Sequence, residues 1–262
     1  MLIVAGFDPS ATPCQHGSAM RLPYFPLHTV LFPHLPLPLH LFEERYRTMA
    51  DDILRDGSPY AGRFVVSMIT EGPEVAEGRG AARVTRTQRI GTVAEVRSAD
   101  HLVDGRWVLL VVGVARVALG AVSRDGPYPL VEVTLLPELD GGGADRLVPE
   151  VQAALDHYLA TVKRFVAATA SNGQMEMETT DVAASLDAVL KPIRLPEEAL
   201  AASYAVGGVL QVELTRKQQL LEAPDAASRL RAELELLRRE SRLLEDGAMP
   251  PVTPGELRYN PN

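Results

Sequence analysis

The chain has 262 residues, of which 46% are hydrophobic and 23% are charged, and these values are ordinary for a soluble globular protein. Its net charge of −8 disfavours a general nucleic-acid-binding surface, which normally shows a basic excess. The single cysteine, Cys14, excludes a disulfide within the chain and fits a reducing compartment. No apolar run approaches the ~18 residues of a membrane-spanning helix, and MLIVAGF lacks the basic start of a secretory signal, so we expect a cytoplasmic protein.

The first 20 residues contain scattered proline, glycine and serine without periodicity, which is typical of a disordered arm. Met20 stands directly before the first stretch with a clear pattern. We therefore expect Met20 to be the true initiator, and the intact mass of the native protein would test this.

Residues 22–49 read LPYFPLHTVLFPHLPLPLHLFEERYRTM, a series of apolar residues between prolines that changes to a helical pattern at Phe42. Proline cannot donate to a central ladder, which confines these segments to edge strands, bulges or strand starts. Helical spacing is shown by Phe42, Tyr46, Met49, Ala50 and Ile53. The stretch predicts a strand, a proline corner, a second strand and a helix to about Leu54.

Short apolar runs at 64–69, 89–96 and 130–136 predict strands. A hairpin is indicated by Asp104-Gly105, which joins the run at 101–103 to the run at 106–112. Gly113 and Gly120 interrupt the following apolar stretch at places suited to bulges or sharp bends. Many short strands, glycine-marked bends and one early helix predict a small, strongly curved, barrel-like sheet.

The pattern changes after Pro137, where residues 140–143 (DGGG) predict a flexible joint. Helical patterns follow: one of about six turns from Asp145, a shorter one at 181–190, one opened by LPEE at 195–198, one capped by Thr215 and one capped by Asp225. The final helix carries an apolar stripe that we expect to be buried within the bundle rather than in a dimer, formed by Leu230, Leu234, Leu237 and Leu244. The fold class is α+β, with an arm at 1–20, a barrel at 21–138, a helical bundle at 139–246 and a tail at 247–262.

The usual catalytic and nucleotide-binding motifs are absent from the sequence: Gly-x-Ser-x-Gly, the phosphate loop, His-Glu-x-x-His and Cys-x-x-Cys.

His28, His34 and His40 lie six residues apart, but the intervening prolines break regular extension and disfavour a zinc site. Asp51-Asp52 are adjacent rather than on one helix face, which disfavours paired-carboxylate catalysis. Arginines 238, 239 and 242 alternate with glutamates and predict a solvated charged face. We expect no enzyme active site and no cofactor.

The segment PLHTVLFPHLPLPLHLFEERYRTM resembles the opening signature of the Lon substrate-binding (Lon N-terminal) domain family, which occurs both within proteases and as stand-alone bacterial proteins. The likeness continues through ITEG at 69–72, IGTVAEV at 90–96, DGRWVLLVVGVARVALGAV at 104–122, PYPLVEVTLLPE at 127–138 and the helical run at 209–240. It covers most of residues 22–245 and implies a pseudobarrel related to PUA domains, followed by helices. Most members place a small residue, typically glycine, where this chain has His34.

The resemblance implies a non-catalytic module that recognises unfolded or flexible polypeptide segments. Apolar contact would be supplemented by strand addition at an exposed sheet edge or by a groove between barrel and bundle. The site residues we expect from the opening signature and first helix are His34, Leu35, Arg45 and Tyr46. A Lon protease also carries an ATPase module and a Ser–Lys peptidase domain after this region, so we expect this chain to act with an ATP-dependent protease or chaperone in trans.

Two other functions stay open at this stage. The PUA-like barrel suggests RNA binding, although fold does not imply function and no aromatic–basic interleaving is present. An ATP-independent peptidase is the weakest alternative, because the catalytic modules of the family are missing from the sequence.

Overall fold

The structure, a computed structural model, describes residues 20–72, 86–171 and 193–247. The helix expected at 181–190, most of the loop at 71–82, and all but one residue each of the arm and the tail lie outside these ranges. Within them, no helix combines the length and apolar character needed to cross a membrane. The described chain divides into two compact units, residues 20–137 and residues 138–247.

The first unit is a closed β-sheet with one helix. Its elements are β1 (Met20–Leu27), β2 (Pro36–Leu41), α1 (Glu44–Leu54), β3 (Arg63–Glu71), β4 (Arg86–Thr87), β5 (Ile90–His101), β6 (Trp107–Ser123) and β7 (Leu130–Leu135). The ring runs β1–β7–β6–β5–β3 and closes where β3 pairs in parallel with β1. β2 adds to β6 and the two-residue β4 adds to β3. The barrel-like sheet predicted from the sequence is confirmed.

The prolines of β1 lie where no donor to the ladder is needed. Residues 20–23 pair with β7 and residues 24–27 pair with β3, so the strand changes partner at Tyr24. The Tyr24 N–H donates to the Pro129 carbonyl at 2.9 Å, on the side away from β3. Pro26 has the same orientation as Tyr24 because successive residues alternate, and its missing N–H therefore costs no bond to β3.

Two bulges bend β6, and each lies at a glycine. The register between β5 and β6 shifts between the pair that contains Val93 and the pair that contains Ala94. This shift leaves one extra residue in β6, beside Gly113. A second shift between Leu119 and Val122 falls at Gly120. The bends predicted at these two glycines are confirmed, and they let one 17-residue strand curve around the ring.

Two apolar clusters stabilise this unit. The first takes residues from all five ring strands and fills the ring: Leu22, Tyr24, Val65, Val93, Val117, Val131 and Val133. The second packs the buried face of α1 (Tyr46, Met49, Ala50 and Ile53) and the inner face of β2 (Leu39 and Leu41) against the other faces of β1, β3, β5 and β6. α1 is therefore held by the second cluster, on the faces of the strands that point away from the interior of the ring.

The β5–β6 hairpin has a longer loop than the Asp-Gly pattern predicts. β5 extends to His101 and β6 begins at Trp107, and the Leu102 N–H donates to the Arg106 carbonyl at 2.8 Å. Val103, expected in a strand, is fully exposed in the loop. The hairpin itself is confirmed, with Gly105 at φ 80°, but the turn also takes in the residues before Asp104.

The second unit is helical, with α2 (Ala144–Ser171), α3 (Ala199–Val209), α4 (Leu214–Glu222) and α5 (Ala226–Glu245) among its described residues. α2 and α5 pack along each other, and the four leucines of the α5 stripe are buried as predicted. The sheet-rich first part and the helices that follow confirm the α+β class.

Two predicted helix starts are wrong. α3 begins at Ala199 and not at Pro196, because Gln152 of α2 holds the preceding segment extended, donating to the Ile193 carbonyl at 3.0 Å and accepting from the Leu195 N–H at 2.9 Å. α4 begins at Leu214, so Thr215 lies inside the helix and does not cap it.

The N-terminus of α5 binds the residues at the start of the glycine-rich segment 140–143. The N–H groups of Ala226 and Ala227 each donate at 2.8 Å, to the carbonyls of Leu139 and Asp140. The Ser228 N–H donates to the Asp225 carboxylate at 2.7 Å, which confirms the predicted cap and holds the pKa of Asp225 below its usual range. Otherwise unpaired N–H groups of the helix therefore bind the start of the predicted joint, and flexibility at residues 141–143 stays a prediction.

Candidate functional site

His34 and Leu35 form the second half of a tight turn that leads into β2. The Leu35 N–H donates to the Phe32 carbonyl at 3.3 Å, with Pro33 and His34 as the central residues. His34 has φ 65°, so the turn has the proline and the positive φ typical of type II. This explains why family members usually carry glycine there. The His34 side chain is exposed and that of Leu35 is half-buried.

Arg45 and Tyr46 lie on α1 and have different surroundings. Tyr46 is 2% exposed and its ring meets Phe25 edge-on, with centroids 4.3 Å apart. Arg45 pairs with Glu43 at 2.9 Å, and its guanidinium carbon lies 4.4 Å from the centroid of the Tyr46 ring. Tyr46 thus belongs to the core, and Arg45 presents a partly exposed cation above it.

The four expected site residues fall into two groups at opposite ends of β2. Leu35 precedes the strand and Arg45 follows it, and a six-residue strand spans about 20 Å. One small pocket therefore does not contain all four. Whether they contact a polypeptide stays a prediction.

Between these two groups lies an exposed apolar surface that the sequence analysis did not identify. β2, the first part of β6 and the last part of β5 pair in this order, with Pro38 opposite Leu110 and Leu110 opposite Ser98. We define the outer β2–β6 face as the residues of these two strands that point away from α1: Pro36, Pro38, His40, Val108, Leu110 and Val112. Leu110 is 41% exposed, and the ring of Phe42, 37% exposed, lies 6.2 Å from that of His40.

Polar residues of β5 border the outer β2–β6 face on one side. Glu95, opposite Val112, accepts from Arg63 at 3.0 Å and from Arg97 at 2.9 Å. Asp100, opposite Val108, is exposed. The face therefore has a charged rim along β5, whereas along β2 it ends at an edge on which no further strand pairs among the described residues.

Asp51 and Asp52 attach α1 to the start of β6 and to the loop before β7. Trp107 Nε1 donates to Asp51 at 2.9 Å and the Tyr128 hydroxyl donates to Asp52 at 2.9 Å. Burial and the hydrogen bond to Asp52 raise the pKa of Tyr128 well above its usual range. The two carboxylates have separate phenol and indole partners, an arrangement that orients a helix and does not form an acid–base pair.

Among the residues that the structure describes, no group of three His, Cys, Asp or Glu side chains is placed to hold a metal ion. This covers His28, His34 and His40, whereas Cys14 lies outside the described ranges.

The helical unit contains a buried polar cluster that the sequence did not reveal. Arg229 is fully buried and donates to the Leu220 carbonyl and the Ser203 hydroxyl, each at 2.8 Å, while its guanidinium lies 4.2 Å from the centroid of the Tyr204 ring. Glu233, one turn later, is also fully buried, and burial raises the pKa of its carboxyl although Arg229 acts in the opposite direction. The helices of the bundle enclose these groups. They therefore affect the stability of the bundle and are not accessible to a ligand.

The charged residues near the end of α5 form ion pairs with α2. Arg238 pairs with Glu150 at 2.6 Å, and Glu245 lies 3.2 Å from His157 and 3.4 Å from Arg164. Exposed pairs of this kind contribute little, typically about 0–1 kcal/mol each. Arg238 has an acidic partner on the protein surface, which is not the arrangement of a phosphate-binding patch.

Comparison with known proteins identifies relatives that cover most of the chain. The family model described as ATP-dependent protease La (LON) substrate-binding domain matches residues 21–239. Lon protease 2 of Syntrophobacter fumaroxidans is 26% identical over 218 residues, which is 82% of this chain and 24% of that protein. Lon protease 2 of Sorangium cellulosum is 26% identical over 240 residues, 90% of this chain and 27% of that protein. The chain thus spans about a quarter of the length of these curated relatives.

Two solved structures share the fold. The N-terminal domain of a Mycobacterium avium complex Lon protease has a TM-score of 0.53 and 18% identity, with 84% of this chain and 98% of that chain covered. A Lon N-terminal domain protein from Xanthomonas campestris has a TM-score of 0.52 and 21% identity, with coverages of 82% and 98%. In both cases nearly the whole of the solved chain aligns with the barrel-then-helices arrangement seen here.

Proposed function

Because the chain belongs to the ATP-dependent protease La (LON) substrate-binding domain family, we propose that it is a non-catalytic module that binds apolar polypeptide segments. The observation that supports this most is the outer β2–β6 face, where Leu110 and the neighbouring valines and prolines lie on the surface of a closed barrel. Large contiguous apolar patches on a protein surface commonly mark sites of interaction with another molecule.

The physical basis of binding is removal of apolar surface from water, worth about 25 cal/mol per Å². A segment that covers Leu110 and Phe42 would bury side chains that are 41% and 37% exposed at present. Unfolded polypeptides expose apolar side chains, whereas folded proteins bury most of theirs. The face would therefore select unfolded or flexible segments.

The residues expected from the opening signature have different roles in this proposal. His34 and Leu35 extend the outer β2–β6 face at the start of β2, where their side chains are exposed and half-buried. Arg45 lies at the other end, and its guanidinium would contact acidic or carbonyl groups of a bound segment. Tyr46 contributes through its ring, which packs against the guanidinium of Arg45. Delivery of the bound segment to an ATP-dependent protease or chaperone in trans completes the proposed role.

Fluorescence anisotropy of the purified chain tests this function, with a labelled unfolded polypeptide and a labelled structured RNA, each at low and moderate salt. We expect saturable polypeptide binding whose Kd changes less than about threefold with salt, because apolar contacts are weakly screened. Binding of RNA alone, weakening steeply with salt as phosphate contacts release counterions, would contradict the proposal and favour the RNA-binding alternative.

A further inference from the structure

The edge of β2 that faces away from β6 pairs with no other strand among the described residues, and it carries few hydrogen-bond donors. In an antiparallel pair, successive residues direct their N–H and C=O groups alternately toward the partner strand and away from it. Pro36 and Pro38 have no N–H, so they occupy positions that point away from β6, and Leu37 and Leu39 form the bonds to β6. The neighbouring contact agrees, because the Gly113 N–H donates to the Leu35 carbonyl, two residues before Leu37, at 3.0 Å.

The edge of β2 consequently presents carbonyl acceptors and almost no N–H donors. The outward positions of β2 are 36, 38 and 40, and of these only His40 retains an N–H. A strand added here would find carbonyl oxygens for its own N–H groups, but two of the three donors that its carbonyls need would be missing. The proline rings would also meet the incoming backbone, and proline on an exposed edge is a common means of preventing strand addition.

The outer β2–β6 face, by contrast, lies perpendicular to this edge and consists of side chains. A ligand lying across Leu110 and the adjacent valines makes apolar contacts that require nothing of its own N–H groups. The polar border along β5, with Glu95 already paired to two arginines, limits the apolar strip on the other side. The surface is therefore built for side-chain recognition.

We infer that the ligand of the outer β2–β6 face is an extended apolar polypeptide segment recognised through its side chains and not through strand addition to β2. This deepens the proposed function and rests on it. Segments that lack backbone N–H groups, through proline or N-methylation, bind as well as ordinary segments with the same side chains. Strand addition, which the sequence suggested as one binding mode, is not used at this edge.

The test uses three labelled peptides with one apolar sequence: an unmodified peptide, one N-methylated at odd positions and one N-methylated at even positions. Each is titrated with the full chain and followed by fluorescence anisotropy. The expected result is that both methylated peptides bind within about threefold of the unmodified one. A tenfold loss for one methylated peptide with retention by the other would overturn the inference, because an added strand uses only alternate N–H groups.

The same experiment separates this inference from the function on which it rests. If the unmodified peptide binds and a methylated one does not, side-chain recognition fails while polypeptide binding stands. If none of the three peptides binds saturably, the proposed function fails, and the inference with it.

Discussion

Gly113 lies so close to the carbonyl oxygen of Phe32 that a Cβ atom at Gly113 would be 2.3 Å from it. The contact joins the turn before β2 to the first bulge of β6, and the His34 N–H donates to the Gly113 carbonyl at 2.8 Å in the same place. The position of β2 on the barrel, and therefore the outer β2–β6 face, depends on this close approach.

Substitution of Gly113 by alanine should destabilise the barrel. The new methyl group would collide with backbone atoms, and backbone cannot move away as a flexible side chain would. We therefore expect a loss of about 2 kcal/mol or more in the free energy of unfolding. Urea denaturation measures it. Gly126→Ala is the matched control, because the nearest atom would be 3.6 Å from its Cβ, and it should change stability by less than about 0.5 kcal/mol. Equal effects at the two glycines would contradict the proposed role of the contact.

His34 adopts a positive φ at a cost that glycine would not incur. We expect His34→Gly to keep or raise stability, and His34→Val to lower it by about 1 kcal/mol or more, since a β-branched residue is disfavoured in the left-handed region. Thermal and urea denaturation of both variants measure the difference. A valine variant as stable as the glycine variant would mean that the turn is not held in this conformation.

The prolines of β2 should also protect the chain from self-association. Pro36→Thr combined with Pro38→Thr restores two outward N–H groups at the edge of β2, and we expect the double variant to associate more strongly with rising concentration than the parent chain does. Sedimentation velocity detects it. Pro59→Thr, which replaces an exposed proline in a loop, is the control and should leave the sedimentation coefficient unchanged. A double variant that behaves as the parent chain at all concentrations would argue against a donor-poor edge.

Glu233 gives the helical unit a defined pH dependence. Its pKa in the folded state is raised by burial above the ordinary value of 4.5, so between these two pKa values the folded state binds more protons than the unfolded state. The contribution of Glu233 to stability is then fully present below pH 4.5 and is lost as pH rises through the folded pKa. Glu233→Gln should therefore gain stability relative to the parent chain as pH rises above 4.5, measured by urea denaturation across pH. A stability difference that is flat with pH would show that Glu233 titrates normally.

Much of the barrel could be predicted from the sequence, because the conformational preferences of single glycine and proline residues decide where strands bend or pair. Gly113 and Gly120 interrupt an apolar run, and each lies at a bulge. Pro23 and Pro26 fit β1 because each half of that strand pairs on one side. The change of partner at Tyr24 could not be predicted in the same way, since it depends on strands that are distant in sequence.

The outer β2–β6 face was missed for a physical reason. Residues 107–112 are apolar on both sides of the strand, and a continuous apolar run does not show which side is covered. In the structure Leu109 and Val111 face α1 and are fully buried, whereas Leu110 between them is 41% exposed. Only the placement of α1 decides between the two faces.

The helical unit contains buried charges that the sequence pattern does not reveal. Arg229 and Glu233 belong to a helix rich in alternating charges, a pattern typical of a solvated surface, yet both are fully buried. The glycines at 141–143 predict flexibility, and composition alone does not reveal that N–H groups of α5 bind Leu139 and Asp140 beside them.

The most direct test of polypeptide binding by the outer β2–β6 face compares two exposed leucines of the same barrel. Leu110, 41% exposed, lies in the face, and Leu135, 52% exposed, lies on β7, which does not pair with β2. Each is changed to threonine, which suits a strand, and the Kd for a labelled unfolded polypeptide is measured by fluorescence anisotropy. We expect Leu110→Thr to weaken binding about fivefold or more, and Leu135→Thr to change it less than about twofold. Unchanged binding by Leu110→Thr, or an equal loss at Leu135, would contradict this assignment of the binding surface.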